Sequence, residues 1–204
     1  MSKNMVPMLA GVGLLLVCCS CSSSLGVMMN TKKEDEDDSG GGGGGGGGGD
    51  SIPSGQYVKL VHTVAQDNSA AGNADDKNKI LNLAELEVFG KGGTTSLAAG
   101  KNVEAANFHP AGPLANLVDG NFSNFGHTLG RTADDFDAMT VDLGSVQEIE
   151  KIKITNRTSC CQKRAIGVKA VILGADGTTV IKETPAITTE AATYTFTFPG
   201  TTWA

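Results

Sequence analysis

Gly40 to Gly49 are ten consecutive glycines, and a run without side chains has no apolar surface to bury and the most backbone freedom to lose. No compact fold spans such a stretch. It confines any core to the residues from Ile52 onward and leaves everything before it as a separate segment. Together with the acidic cluster Glu34–Asp38 and Ser39, residues 31–55 read as a flexible linker, and roughly 20 random-coil positions reach about 25 Å. A phosphate-cradling loop is excluded, because such loops need Gly-Lys-Ser/Thr entering a helix and none comes after the glycines.

Ahead of the linker, residues 5–29 form an apolar-to-small run behind Lys3, the pattern of a signal peptide or an uncleaved signal anchor over residues 1–30. An apolar core of about 12–13 residues suits the first, and counting through the serines to Met29 reaches the roughly 20 residues that a spanning helix needs. Cys18, Cys19 and Cys21 at its edge suit acyl attachment or serve as small apolar fillers. The expected location is secreted or membrane-anchored, on an extracellular or virion surface. The acids are unevenly spread, with five in Glu34–Asp38, while residues 51–204 carry 13 Lys+Arg against 16 Asp+Glu, half of the formal charge of −6. That near-balance argues against a nucleic-acid partner.

From Ile52 on, the pattern is β throughout. Residues 57–64 (YVKLVHTV) are rich in β-branched and aromatic side chains, and in Asn82–Phe89 the apolar Ala84, Leu86 and Val88 alternate with Glu85 and Glu87. Residues 139–143, 149–155, 166–173, 178–182 and 194–198 complete a set of about seven short strands separated by Gly, Asn and Asp turns. The expected fold is all-β, a β-sandwich of jelly-roll type over residues 56–204.

The chemistry-bearing residues fall in loops. Residues 107–137 are long for a connection in a compact domain and hold Asn116-Leu-Val-Asp-Gly-Asn121, an oxygen-rich turn of the kind a hard cation such as Ca²⁺ uses. An ordinary Asp-Gly turn accounts for the same residues. His127 comes six positions later, and His62 and His109 read as plain polar surface residues. Residues 156–164 (NRTSCCQKR) place the adjacent Cys160 and Cys161 between Arg157 and Arg164. A bridge between neighbours closes no loop, so its use has to be local. In an oxidising compartment it forms a small apolar ring flanked by rigid guanidinium donors, a match for the faces of a sugar.

His127 followed by Arg157-Thr-Ser-Cys-Cys-Gln-Lys-Arg164 resembles the fucolectin signature, a histidine and then Arg-x-Asp-Cys-Cys-x-x-Arg, within the discoidin or galactose-binding-like superfamily that also includes tachylectin- and pentraxin-like domains. Leu117-Val-Asp-Gly-Asn121, Val141-Asp-Leu-Gly144 and Ile152-x-Ile-x-Asn-Arg157 extend the likeness over residues 57–204. The resemblance implies a galactose-binding-like β-sandwich in which His127, Arg157 and Arg164 hydrogen-bond L-fucose and a Cys160–Cys161 disulfide packs against the sugar. Family members commonly begin near Asn-Leu-Ala-x-Gly-Lys and finish on Leu-Cys-Glu-Val-Glu-Val. Here Leu97-Ala-Ala-Gly-Lys101 is preceded by Leu83-Ala-Glu-Leu-Glu-Val88, which implies a circularly permuted order. The family's Ca²⁺ ligands then fall on Ala84, Glu85, Asn116, Asp119 and Asn121. Two departures stand out: the motif's Asp is Ser159, and an aromatic pair before the Val-Asp-Leu-Gly strand is Ala138-Met139.

Two classes of function are compatible with these residues. One is a Ca²⁺-supported lectin module for fucosylated or related glycans, displayed in several copies or as a homo-oligomer. The other is a structural or adhesion module with a degenerate sugar site. An enzyme is not expected, because no nucleophile, base and orienter form a set, and Asp134, Asp135 and Asp137 suit a solvated loop. Asn121-Phe-Ser123 and Asn156-Arg-Thr158 also match the glycosylation sequon, a coincidence on this reading because a glycan at either would crowd the proposed sites.

Overall fold

The computed structural model describes residues 51–63, 80–129 and 138–204. The signal or anchor segment with Cys18, Cys19 and Cys21, the glycine run, and Asp134, Asp135 and Asp137 lie outside the described residues. Two antiparallel sheets face each other, and among the described residues there is no α-helix.

The five-stranded sheet is built from β1 (Ser54–His62), β3 (Asn102–Glu104), β5 (Ala138–Glu148), β7 (Val168–Leu173) and β8 (Val180–Glu183), in the order β3-β5-β1-β7-β8. The four-stranded sheet is built from β2 (Asn82–Phe89), β4 (Gly126–His127), β6 (Lys151–Asn156) and β9 (Thr193–Thr197), in the order β4-β2-β6-β9. Alternation decides which side chains meet between them. Val58 and Leu60 of β1, Met139 and Val141 of β5, and Ala170 and Ile172 of β7 join Leu86, Val88, Ile152, Ile154 and Phe196 of the other sheet in one core. Trp203 packs edge-on against Phe196 and Tyr194, and its indole nitrogen donates to the Pro185 carbonyl at 2.7 Å.

The same alternation corrects one expectation. His62 is not a surface residue: it shares the inward face of β1 with Val58 and Leu60, is 2% exposed, and its Nε2 donates to the Ile80 carbonyl at 2.9 Å. Burial lowers its pKa to about 4, against the raising effect of the Ile80 bond.

One irregularity in β2 sets where the polar side chains at this end of the sheet point. The β2–β6 register shifts between Leu83 and Glu85, a β-bulge with Ala84 as the extra residue. A bulge reverses the in-out phase. Leu81 and Leu83 therefore face the core before it, Leu86 and Val88 after it, while Asn82 and Glu85 turn to the other side, three residues apart.

Candidate functional site

Four side chains meet at one end of the four-stranded sheet because its register aligns them. Asn82 pairs with His127 across β2–β4, and Leu83 pairs with Asn156 across β2–β6, so Arg157 emerges beside both. Arg164 arrives from the far end of the intervening loop. Asn156 holds that loop at both ends: its Oδ1 accepts from the Arg157 amide at 2.9 Å, and its Nδ2 donates to the Gln162 carbonyl at 2.9 Å and to the Ala191 carbonyl at 3.0 Å. Asn156 of the sequon is thus buried and its amide nitrogen engaged.

Between those anchors Cys160 and Cys161 are joined as a disulfide, and Cys161 has a left-handed backbone, φ 65°. A 3₁₀ turn, Gln162–Ala165, comes next and carries Arg164 inward, where it is 7% exposed. Its Nη1 lies 3.3 Å from His127 Nε2. With the Asn82 amide oriented so that its oxygen meets the donors, that oxygen accepts from Nη1 of both Arg157 and Arg164 at 3.1 Å each. Arg157 also lies over the Phe125 ring, 3.6 Å from the centroid, and donates from Nε to Ser159 Oγ at 2.7 Å. Burial, and then the neighbouring Arg164 charge, lower the pKa of Arg157, but a guanidinium stays protonated at any ordinary pH.

His127 is fixed from both sides. Its Nδ1 meets the Thr128 carbonyl, which assigns the proton to Nδ1 and leaves the Nε2 lone pair to accept from Arg164. Burial above all, then the charges of Arg164, His109 and Arg157, lower its pKa to about 4, with the Thr128 bond opposing. The ring is therefore neutral at neutral pH. Behind it, the His127 amide donates to the Gly112 carbonyl at 3.0 Å, and His109, exposed as the sequence implied, sets its ring 5.1 Å from that of His127. A Cβ on Gly112 would stand 2.6 Å from His127 Cβ and 2.9 Å from the Phe125 ring, so glycine is what lets this segment approach.

The oxygen-rich turn lies on the other side of the β2 bulge. Glu85, 3% exposed, receives the Gly120 amide at 3.2 Å on each carboxylate oxygen. Gly120 has φ +76°, a conformation that glycine adopts without strain. Asp119 accepts from the Asn121 amide at 2.8 Å and from Asn124 Nδ2 at 2.7 Å, and Asn121 Oδ1 accepts from the Ser123 amide at 3.1 Å. The half-buried Asn116 donates its side-chain amide to the Phe125 carbonyl at 3.2 Å, linking this turn to the ring under Arg157. Ala84, the bulge residue, has no register partner on β6. Among the described residues no cluster of three or more His, Cys, Asp or Glu side chains forms, so a cation here would rest on two carboxylates plus amide and backbone oxygens. Burial, with Asp119 and Glu87 nearby, raises Glu85 to about 7 despite the Gly120 bond. A buried carboxylate facing other acids is a donor set that a hard cation fits.

All five residues expected around the sugar, and the side chains of Glu85 and Asp119, thus fall into two neighbouring groups joined through β2. Asn82 had no motif to announce it. No curated protein and no solved structure matches the chain. Residues 116–204, which carry His127, both arginines and the cysteine pair, match the family model described as NedA-like, galactose-binding domain. Over residues 116–204 the chain is thus similar to galactose-binding domains, and its two antiparallel sheets form the all-β sandwich expected of such a domain.

Proposed function

We propose that the domain is a lectin module, binding rather than transforming its sugar, with an L-fucose-type deoxyhexose as ligand and Ca²⁺ as support. The observation that carries this reading is the convergence of His127, Arg157 and Arg164 on Asn82, beside the Cys160–Cys161 disulfide. Fixed cationic donors and one neutral acceptor suit the ring and hydroxyl oxygens of a sugar, and the disulfide offers an apolar edge. Glu85, Asp119 and oxygens of Ala84, Asn116 and Asn121 would hold the cation. It would supply charge compensation for Glu85 and tie the loop to β2, without touching the sugar.

A shallow site of this size has weak single-copy affinity, about 1 mM to 1 μM, so adhesion depends on many copies engaging at once. The linker and the secretory or anchoring segment expected from the sequence of residues 1–55 would suit that use. A glycan array probed with the full chain, with free L-fucose as competitor and with or without chelator, tests the reading. Retention on fucosylated glycans that L-fucose abolishes, and that weakens in chelator, is expected. Binding to no glycan while Ca²⁺ still stabilises the protein would leave a structural module.

A further inference from the structure

Resting on the carbohydrate reading, we propose that the Arg157 end of the site takes an anionic group of the sugar, a carboxylate or a sulfate, so that the preferred ligand is an acidic rather than a neutral saccharide. Among the described residues the Arg157 side chain meets only neutral groups: the Asn82 amide oxygen, the Ser159 hydroxyl and the Phe125 ring face. Its charge is held in place without being cancelled. Asn82 sharpens this, because its single oxygen draws the Nη1 atoms of Arg157 and Arg164 to the same point at 3.1 Å each. An aspartate there would hold the same geometry and neutralise it, and the amide does not. The neighbouring Arg164 charge acts against that of Arg157, and a ligand that brings the opposite charge to Arg157 offsets this.

Arg157 is half-exposed whereas Arg164 is buried, so an incoming anion reaches Arg157 first. Guanidinium bonds to carboxylate or sulfate oxygens are charge-assisted and stronger than those to a hydroxyl. The opposite side of the site has another character, since the neutral His127 presents an acceptor nitrogen. The fitting ligand therefore has a hydroxyl for His127 and an acidic substituent for Arg157.

Calorimetric titration of the full chain with L-fucose, a mono-sulfated L-fucose, D-galacturonic acid and inorganic sulfate tests this. At low salt at least one acidic sugar is expected to bind about tenfold or more tightly than L-fucose, an advantage that shrinks at high salt. The sulfated and uronic arms tell which anion serves. Ser159→Asp puts a carboxylate within reach of Arg157 Nε, and the ratio of acidic to neutral affinity is expected to collapse, while thermal melting reports that the variant is folded. Equal or tighter binding of L-fucose by the wild type, an unchanged ratio in Ser159→Asp, or inorganic sulfate binding as well as the acidic sugars would each overturn the proposal. Should no sugar bind, neutral or acidic, the carbohydrate reading fails with it, an outcome distinct from neutral-only binding.

Discussion

Glu85 and His127 owe their displaced pKa values mainly to burial, yet in opposite directions, because burial disfavours whichever form is charged. For Glu85 the folded value of about 7 lies above the ordinary 4.5. The folded state then binds more protons between those values, so its stability is full below pH 4.5 and is lost as pH rises through 7. In chelator, Glu85→Gln is therefore expected to be more stable than wild type near pH 8 and equal to it near pH 4.5. With Ca²⁺ the order reverses, because the wild type gains about 2.7 kcal/mol at roughly 100 times the dissociation constant and the variant loses a ligand. Thermal melts of both proteins at both pH values, with and without Ca²⁺, check this; no response of the wild type to Ca²⁺ would reduce residues 116–121 to a plain turn. His127 runs the other way. Its folded value of about 4 lies below 6.5, so the stability due to the neutral ring is full above 6.5 and is lost as pH falls toward 4. Sugar affinity is accordingly expected to stay flat from about pH 8 to about pH 5, with Arg157, Arg164 and His109 facing the ring throughout. A decline centred near pH 6.5 in calorimetric titrations would show a ring that titrates as in water.

At the scale of elements, the bulge in β2 and the close crossing of the Gly112 segment over β4 set the geometry. Gly112→Ala forces a methyl against His127 Cβ and Phe125, an overpacking that typically costs about 1–3 kcal/mol. Urea denaturation is expected to show that loss, with weakened sugar binding in calorimetry; an unchanged midpoint would mean that the crossing has room for a methyl. These two features also mark where sequence reading stops. The long strands were legible because alternation persists through them, as in Ile152 and Ile154 against Lys151 and Lys153. Asn102–Glu104 and Gly126–His127 were missed, since two or three residues display no period. Ala84, Leu86 and Val88 read as one face, and the register shift after Leu83 breaks that face. Asn82 escaped notice for the same reason: only a phase reversal turns it away from the core, and an asparagine opening a strand carries no signal of its own. The two arginines and the cysteine pair were legible because they crowd one loop, whereas His127 was singled out only through the resemblance to the fucolectin signature.

For the molecule as a whole, the residues proposed to bind the sugar lie at one end of the four-stranded sheet, outside the hydrophobic cluster that Leu60, Met139, Ile152 and Phe196 help to form. The half-exposed Arg157 can therefore be changed with little effect on folding, whereas the buried Asn82, His127 and Arg164 also bear on stability. With the near-balanced charge of residues 51–204, the proposed selectivity would rest on the local arrangement of Arg157, Arg164 and His127 rather than on a long-range field. A weak site of that kind would gain from repeated display, the use proposed for the linker that the sequence leads one to expect over residues 31–55. The most direct measurement is calorimetric titration of L-fucose, and of its mono-sulfated form, into the full chain and into Arg157→Lys and Arg164→Ala. Arg157→Lys keeps the charge and removes the fork that spans Asn82 and Ser159; Arg164→Ala removes the buried partner of His127. Saturable binding is expected for the wild type, and its loss in both variants while Arg157→Lys melts within a few degrees of the parent. Undiminished binding in Arg157→Lys and Arg164→Ala, or no binding of either sugar by the wild type, would contradict a sugar site built on these arginines.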